Sequence, residues 1–134
     1  YLAMESAIKE ANVSPEKIEY INAHATSTSL GDLSEINAIE KLFKPYLAKL
    51  QVSASKSMTG HLLGGTGAIE AISTCLSLST GSIPPTINTA EVDEKINKKL
   101  NLSLHGKTTK EINYALSNSF GFGGHCAALV LKKY

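Results

Sequence analysis

Apolar patterning constrains this chain more than any other feature: helical stripes alternate with short strand-like runs, and two adjacent strands close the sequence. Met4, Ala7, Ile8 and Ala11 share one face of an opening helix, opposite Glu5, Lys9 and Glu10, the spacing of an amphipathic α-helix. That helix stops at Asn12, and Ser14-Pro15-Glu16 has the cap-then-proline signature of a short helical turn. Tyr20 to Ala23 reads as a short buried strand with His24 at its end. Asp32, with Glu35 three residues on, resembles a capping box opening a helix whose stripe is Ile36, Ile39, Leu42 and Phe43. Pro45 lies beyond its end, and Gln51 to Ala54 alternates as a second strand. From Gly60 the chain is glycine-rich, then helical through Ala68, Ile69, Ile72, Cys75 and Leu76 to a stop at Gly81. Small residues on that helix (Gly64, Gly67, Ala68, Ala71) permit close packing and predict a central, buried position. Pro84-Pro85 opens a Lys- and Asn-rich segment, read as irregular to about Lys110. Tyr114 to Ser119 and Ala127 to Leu131 then read as strands joined by Phe120-Gly121-Phe122-Gly123-Gly124. Alternation followed by a closing hairpin predicts an α/β layered fold with a mixed sheet.

The chain has 134 residues, 43% of them apolar, which allows one domain with a core and leaves little room for two. Its net charge of +1 provides no field toward nucleic acid or an anionic membrane, and no apolar run reaches the ~18 residues of a membrane span. Cys75 and Cys126 cannot build a disulfide framework, and no zinc-ligand spacing surrounds them, so a reducing, intracellular setting without a metal is expected. Tyr1 is not an initiator Met and opens inside a helical pattern, as expected of a fragment of a longer polypeptide.

Two nucleotide motifs fail on inspection. Gly60 to Gly65 has P-loop spacing, but Thr66-Gly67 stands where Lys-Ser/Thr must follow. Gly121-Phe122-Gly123 lacks the third glycine of a dinucleotide fingerprint and joins two strands rather than a strand and a helix. The lysines between Lys95 and Lys110 are interleaved with acids and lack an aromatic platform, which reads as a solvated face. The histidines carry more information. His24 and His61 each follow a strand, at the edge where α/β sheets build sites, with Lys56 before His61 and Glu70 on the next helix.

Three segments, in order through nearly the whole chain, resemble the β-ketoacyl-acyl carrier protein synthases. Ile21-Asn22-Ala23-His24-Ala25-Thr26-Ser27-Thr28, followed by Gly31-Asp32, resembles their first histidine motif. Lys56-Ser57-Met58-Thr59-Gly60-His61-Leu62-Leu63-Gly64 resembles the lysine and second-histidine motif, and Asn118-Ser119-Phe120-Gly121-Phe122-Gly123-Gly124 the glycine-rich gate loop. The likeness is strongest to the elongating, synthase II-like enzymes of fatty acid synthesis; polyketide ketosynthases share all three motifs, and a catalytically inactive fragment is a further alternative.

The resemblance implies a thiolase-like fold of two similar halves, with residues 1–134 covering most of the second and the nucleophilic cysteine upstream of Tyr1. It implies decarboxylative Claisen condensation, in which a carbanion from malonyl-acyl carrier protein attacks an acyl group held on that cysteine. His24 and His61 would stabilise the enolate as neutral imidazoles, each presenting an N–H, with a hydrogen-bond acceptor on the other ring nitrogen fixing the tautomer. Lys56 and Glu70 would form a supporting ion pair, and Thr26 and Thr28 would bind the pantetheine arm. Phe122 N–H would serve a second oxyanion hole, in a gate formed by Phe120 and Phe122 hinged on Gly121, Gly123 and Gly124. Cys75 is read as packing, His125 as structural, and Cys126 stands where the family commonly has Asn. No cofactor is implied beyond the phosphopantetheine arm of the substrates. The implied partners are acyl carrier protein, the N-terminal half of the same chain and a second copy in a homodimer. The implied compartment is the bacterial cytoplasm, or a plastid or mitochondrion. A central strand is expected to lie upstream of Tyr1, leaving a gap between the strands at Tyr20 and Gln51 and those at Leu116 and Leu129, so that residues 1–134 would not fold alone.

Overall fold

The computed structural model describes all residues 1–134. Its elements follow the alternation of the sequence: α1 (Leu2–Glu10), β1 (Tyr20–Asn22), α2 (Ser29–Phe43), β2 (Gln51–Ser53), α3 (Lys56–Thr59), α4 (Thr66–Thr80), β3 (Ser82–Ile83), β4 (Asn101–Leu102), β5 (Thr108–Thr109), β6 (Tyr114–Phe120) and β7 (Cys126–Lys132). Pro15–Lys17 forms the single helical turn predicted from Ser14-Pro15.

The main sheet has the order β4-β2-β1-β6-β7. β1 lies between β2 and β6 and is parallel to both, with Ile21 opposite Val52 on one side and Leu116 on the other. The predicted gap is therefore absent: the strands at Tyr20 and Leu116 pair directly. The fifth strand comes from the segment read as irregular, where Asn101–Leu102 pairs in parallel with the outer side of β2, and Gln51 fixes that edge by donating through Nε2 to the Asn101 carbonyl and Ser103 Oγ. The same segment holds β5, which pairs antiparallel with β3 in a separate two-stranded sheet. These two-residue strands are too short to show a periodicity. β7 closes the other edge antiparallel to β6.

Successive strand residues face opposite sides of a sheet, and the core divides accordingly. Ile21, Val52 and Leu116 face α1 and α2, where they are buried with Met4, Ile8, Ile36, Ile39 and Phe43. Tyr20 and Ala115 face the other way and are buried with Leu78, Ile83 and Ile112.

α4 reverses the expected polarity. Thr66, Glu70, Thr74 and Ser77 face inward with Leu78, whereas Ile69, Ile72 and Leu76 are exposed and Cys75 is exposed beside them. The inward face meets polar strand residues: Asn22 Nδ2 donates to the Glu70 carbonyl and Thr74 Oγ1, and Tyr20 Oη shares a hydrogen bond with Ser53 Oγ. Within this chain the small-residue helix is thus packed by its hydroxyls, and its apolar stripe, Cys75 included, is on the surface.

Candidate active site

The three resemblance-bearing segments meet at the C-terminal ends of the parallel strands, the edge where open α/β sheets bind ligands. β1 delivers His24, β2 leads through Ser55 into Lys56, and β6 ends at Phe120. The His24 and His61 rings lie 5.5 Å apart, centroid to centroid, and nearly perpendicular at 88°. Phe120 packs on the other side of His24, with ring centroids 5.6 Å apart.

His61 is aimed by its local backbone. Gly60 ends α3 at φ 71°, ψ −178°, a region essentially restricted to glycine. Leu63, at φ 50°, then turns its N–H back to donate to His61 Nδ1 at 3.2 Å. An N–H only donates, so Nδ1 carries a lone pair, the Thr66 hydroxyl at 2.9 Å donates to it as well, and the ring proton resides on Nε2. The partner that sets the tautomer is therefore a donor and not the predicted acceptor, because a ring presenting one N–H offers a lone pair at its other nitrogen. His24 has no such partner: its Nδ1 is buried without a hydrogen bond. Burial is the main cause holding the His24 pKa down to about 4, with a smaller contribution from the nearby Lys56 ammonium. His24 is thus neutral near pH 7.

Lys56 and Glu70 form the predicted ion pair, with Nζ 2.6 Å from Oε1 and both side chains buried. Ser55 Oγ donates to the same oxygen at 3.4 Å. Burial raises the Glu70 carboxyl above its usual range, and Lys56 opposes that shift. The pair is a charge-assisted bond between two buried groups.

The remaining candidates are placed as follows. Thr26 and Thr28 share a hydroxyl–hydroxyl bond of 3.3 Å on the exposed rim. Thr28 rather than Asp32 is the N-cap of α2, which starts at Ser29, so the expected capping box is not formed. Asp32 Oδ1 instead accepts the Ser27 N–H. In the glycine-rich loop, Gly121 N–H donates to the His125 carbonyl at 2.6 Å and closes the turn, and Gly123 and Gly124 adopt φ 78° and 84°. Phe122 points its ring into solvent; Phe120, and not Phe122, is the aromatic ring that packs against His24.

Glu35 escaped sequence reasoning as a site residue. It is 5% exposed and accepts the backbone N–H of His24 and of Ala25. Its position, four residues before Ile39 on an otherwise apolar stripe, was the available signal, because a lone carboxylate seldom occupies a buried position unless it is paired.

Comparison with known proteins identifies the setting of this geometry. Residues 1–90 match the family described as Beta-ketoacyl synthase, C-terminal domain. The chain is 46% identical over 132 residues to a 3-oxoacyl-[acyl-carrier-protein] synthase 2 of Staphylococcus aureus, covering 98% of this chain and 31% of the relative. It is 43% identical over 131 residues to the chloroplastic 3-oxoacyl-[acyl-carrier-protein] synthase I of Arabidopsis thaliana, covering 98% and 27% respectively. Among solved structures, a β-ketoacyl synthase from Burkholderia phymatum superposes with a TM-score of 0.90 at 32% identity, covering 98% of this chain and 31% of that one. A type II polyketide ketosynthase, solved in complex with its acyl-carrier protein and bound to the hexaketide, superposes with a TM-score of 0.92 at 32% identity, covering 98% and 32%. The chain thus spans about a third of the length of the relatives it matches. Paired histidines, a buried Lys–Glu pair and a glycine-rich aromatic loop at one sheet edge, on a five-stranded thiolase-like sheet, agree with these matches: the chain belongs to the β-ketoacyl synthase family, as its C-terminal domain.

Proposed function

We propose that this chain supplies the decarboxylating side of a fatty-acid condensing enzyme, a β-ketoacyl-acyl carrier protein synthase whose cysteine nucleophile lies elsewhere in the polypeptide. The observation that carries the reading is the perpendicular His24–His61 pair at 5.5 Å, with His24 held neutral and the His61 proton directed to Nε2 by two donors at Nδ1.

In this reading the C–C bond to the malonyl carboxylate breaks, CO₂ leaves, and the electron pair moves onto the thioester oxygen. Neutral imidazole N–H groups at His24 and His61 stabilise that enolate oxygen. One such donor is worth on the order of 10²–10³ in rate. The enolate carbon then attacks the acyl thioester on the cysteine and expels the thiolate, while the Phe122 N–H supports the tetrahedral oxyanion. Lys56 and Glu70 hold the His61 side of the pocket, Thr26 and Thr28 bind the pantetheine arm, and Phe120 and Phe122 gate acyl entry. The substrates arrive on acyl carrier protein, and the chemistry calls for no metal or organic cofactor.

The exposed stripe of Ile69, Ile72 and Leu76 on α4 is the surface on which the rest of the polypeptide would pack, within a full-length homodimer. A bacterial cytoplasm, or a plastid or mitochondrion, is the compartment this reading implies. A polyketide ketosynthase would use the same residues. The fatty-acid assignment is preferred because identity reaches 46% with a 3-oxoacyl-acyl carrier protein synthase 2 against 32% with the type II polyketide ketosynthase.

The test is His61→Ala in the full-length polypeptide. Malonyl decarboxylation should fall at least a hundredfold while acyl transfer to the cysteine is largely retained, because the enolate charge appears only after loading. Undiminished decarboxylation would refute the role.

A further inference from the structure

The Glu35 carboxylate is the one buried acid that this reaction scheme leaves unused, and it reaches three parts of the site at once. Its Oε1 accepts the His24 backbone N–H at 2.9 Å and Asn118 Nδ2 at 3.0 Å. Its Oε2 accepts the Ala25 backbone N–H at 2.8 Å. Ala25 sits at φ 30°, in the left-handed region that non-glycine residues seldom occupy and that persists only where surrounding contacts impose it. The turn that ends β1 and sets the direction of His24 is therefore strained and is held by a carboxylate from α2.

We propose that Glu35 is a positioning residue for decarboxylation, a clamp that fixes the strained His24–Ala25 turn and so aims the His24 ring, with Asn118 tying the clamp to the strand that carries Phe120. The inference rests on the condensing-enzyme reading above. Two observations support the coupling. His24 Nδ1 has no hydrogen bond of its own, so the orientation of the ring depends on its backbone and on packing against His61 and Phe120. Asn118 stands two residues before Phe120 in β6, and its amide nitrogen also contacts Met4 Sδ at 3.4 Å, which anchors the clamp to α1. A carboxylate suits this position because both oxygens must accept from backbone donors. An isosteric amide presents an NH₂ to one of them and loses that bond.

The test is Glu35→Gln in the full-length polypeptide, with acylation of the cysteine from acyl-acyl carrier protein and decarboxylation of malonyl-acyl carrier protein measured separately. Decarboxylation should fall about tenfold in kcat with KM for the malonyl substrate unchanged and acylation kept within about twofold, since small displacements of a catalytic group are costly in rate. Unchanged decarboxylation, or equal loss of both partial reactions, overturns the clamp. If the variant does not fold, Asn118→Ala replaces it: it removes one donor to the same carboxylate and should lower decarboxylation about threefold relative to acylation, with no selective loss counting against the proposal. A wild-type enzyme that performs neither partial reaction overturns the condensing-enzyme reading itself, and the clamp with it.

Discussion

His24 and Glu35 show how far one residue's chemistry depends on its surroundings. The His24 pKa is held at about 4, chiefly by burial, against about 6.5 for an unperturbed imidazole. A histidine kept neutral in the fold contributes stability that is fully present above pH 6.5 and is lost as pH falls toward 4, because only the unfolded chain takes up the proton in that window. Burial raises the carboxyls of Glu35 and Glu70, which acts in the opposite sense: stability falls as pH rises from about 4.5 through their folded values. The His24 contribution is isolated by difference. The stability advantage of wild type over His24→Gln, followed by urea unfolding, should shrink as pH drops from 6.5 to 4, and an advantage that stays flat across that range would contradict a buried neutral imidazole.

At the scale of elements, the turn between α3 and α4 does the aiming. Gly60 sits at φ 71°, ψ −178°, and a Cβ added there would meet no atom within 4 Å, so any cost of a side chain at this position is conformational rather than steric. Gly60→Ala should destabilise by about 1–3 kcal/mol and loosen the Leu63 and Thr66 bonds to His61. Gly64, also in open space but without a positive φ, provides the control, and Gly64→Ala should stay within about 0.5 kcal/mol. Denaturant midpoints of the two variants decide the matter, and equal midpoints would remove Gly60 from the account.

For the whole molecule, the decisive feature is a sheet without an internal gap and a helix that is not fully covered. Direct pairing of β1 with β6 removes the row of unpaired backbone groups that argued against independent folding. What remains is the stripe of Ile69, Ile72 and Leu76, the last two 57% and 59% exposed, a contiguous apolar surface of the kind that marks an interface. The isolated 134-residue polypeptide should self-associate in sedimentation experiments, and Ile72→Lys with Leu76→Lys should render it monomeric with little change in its own unfolding midpoint. In the full-length polypeptide the same pair of changes should lower stability markedly. A monomeric unsubstituted segment would contradict the assignment of that stripe as an interface.

The alternation of helices and strands, His24 at the end of β1 and the glycine-rich loop after β6 were legible in the sequence, because stripes of 3.6 and 2.0 periodicity, helix stops and long contiguous motifs are local properties. The Lys56–Glu70 pair came from the family resemblance, and His61, read as following a strand, follows the short helix α3 instead. Tertiary structure decided what depends on contacts between distant segments. It placed β1 beside β6 without a gap, since strand order is set by pairing rather than by pattern. It recruited Asn101–Leu102 as the fifth strand, since a two-residue strand exists only against its neighbour. It turned α4 so that hydroxyls and Glu70 face Asn22, Tyr20 and Lys56 across the sheet, since buried polar groups require partners. Glu35 received its place for the same reason: a carboxylate on an apolar stripe is a contradiction in one dimension, and in three it is the acceptor for the backbone that carries His24.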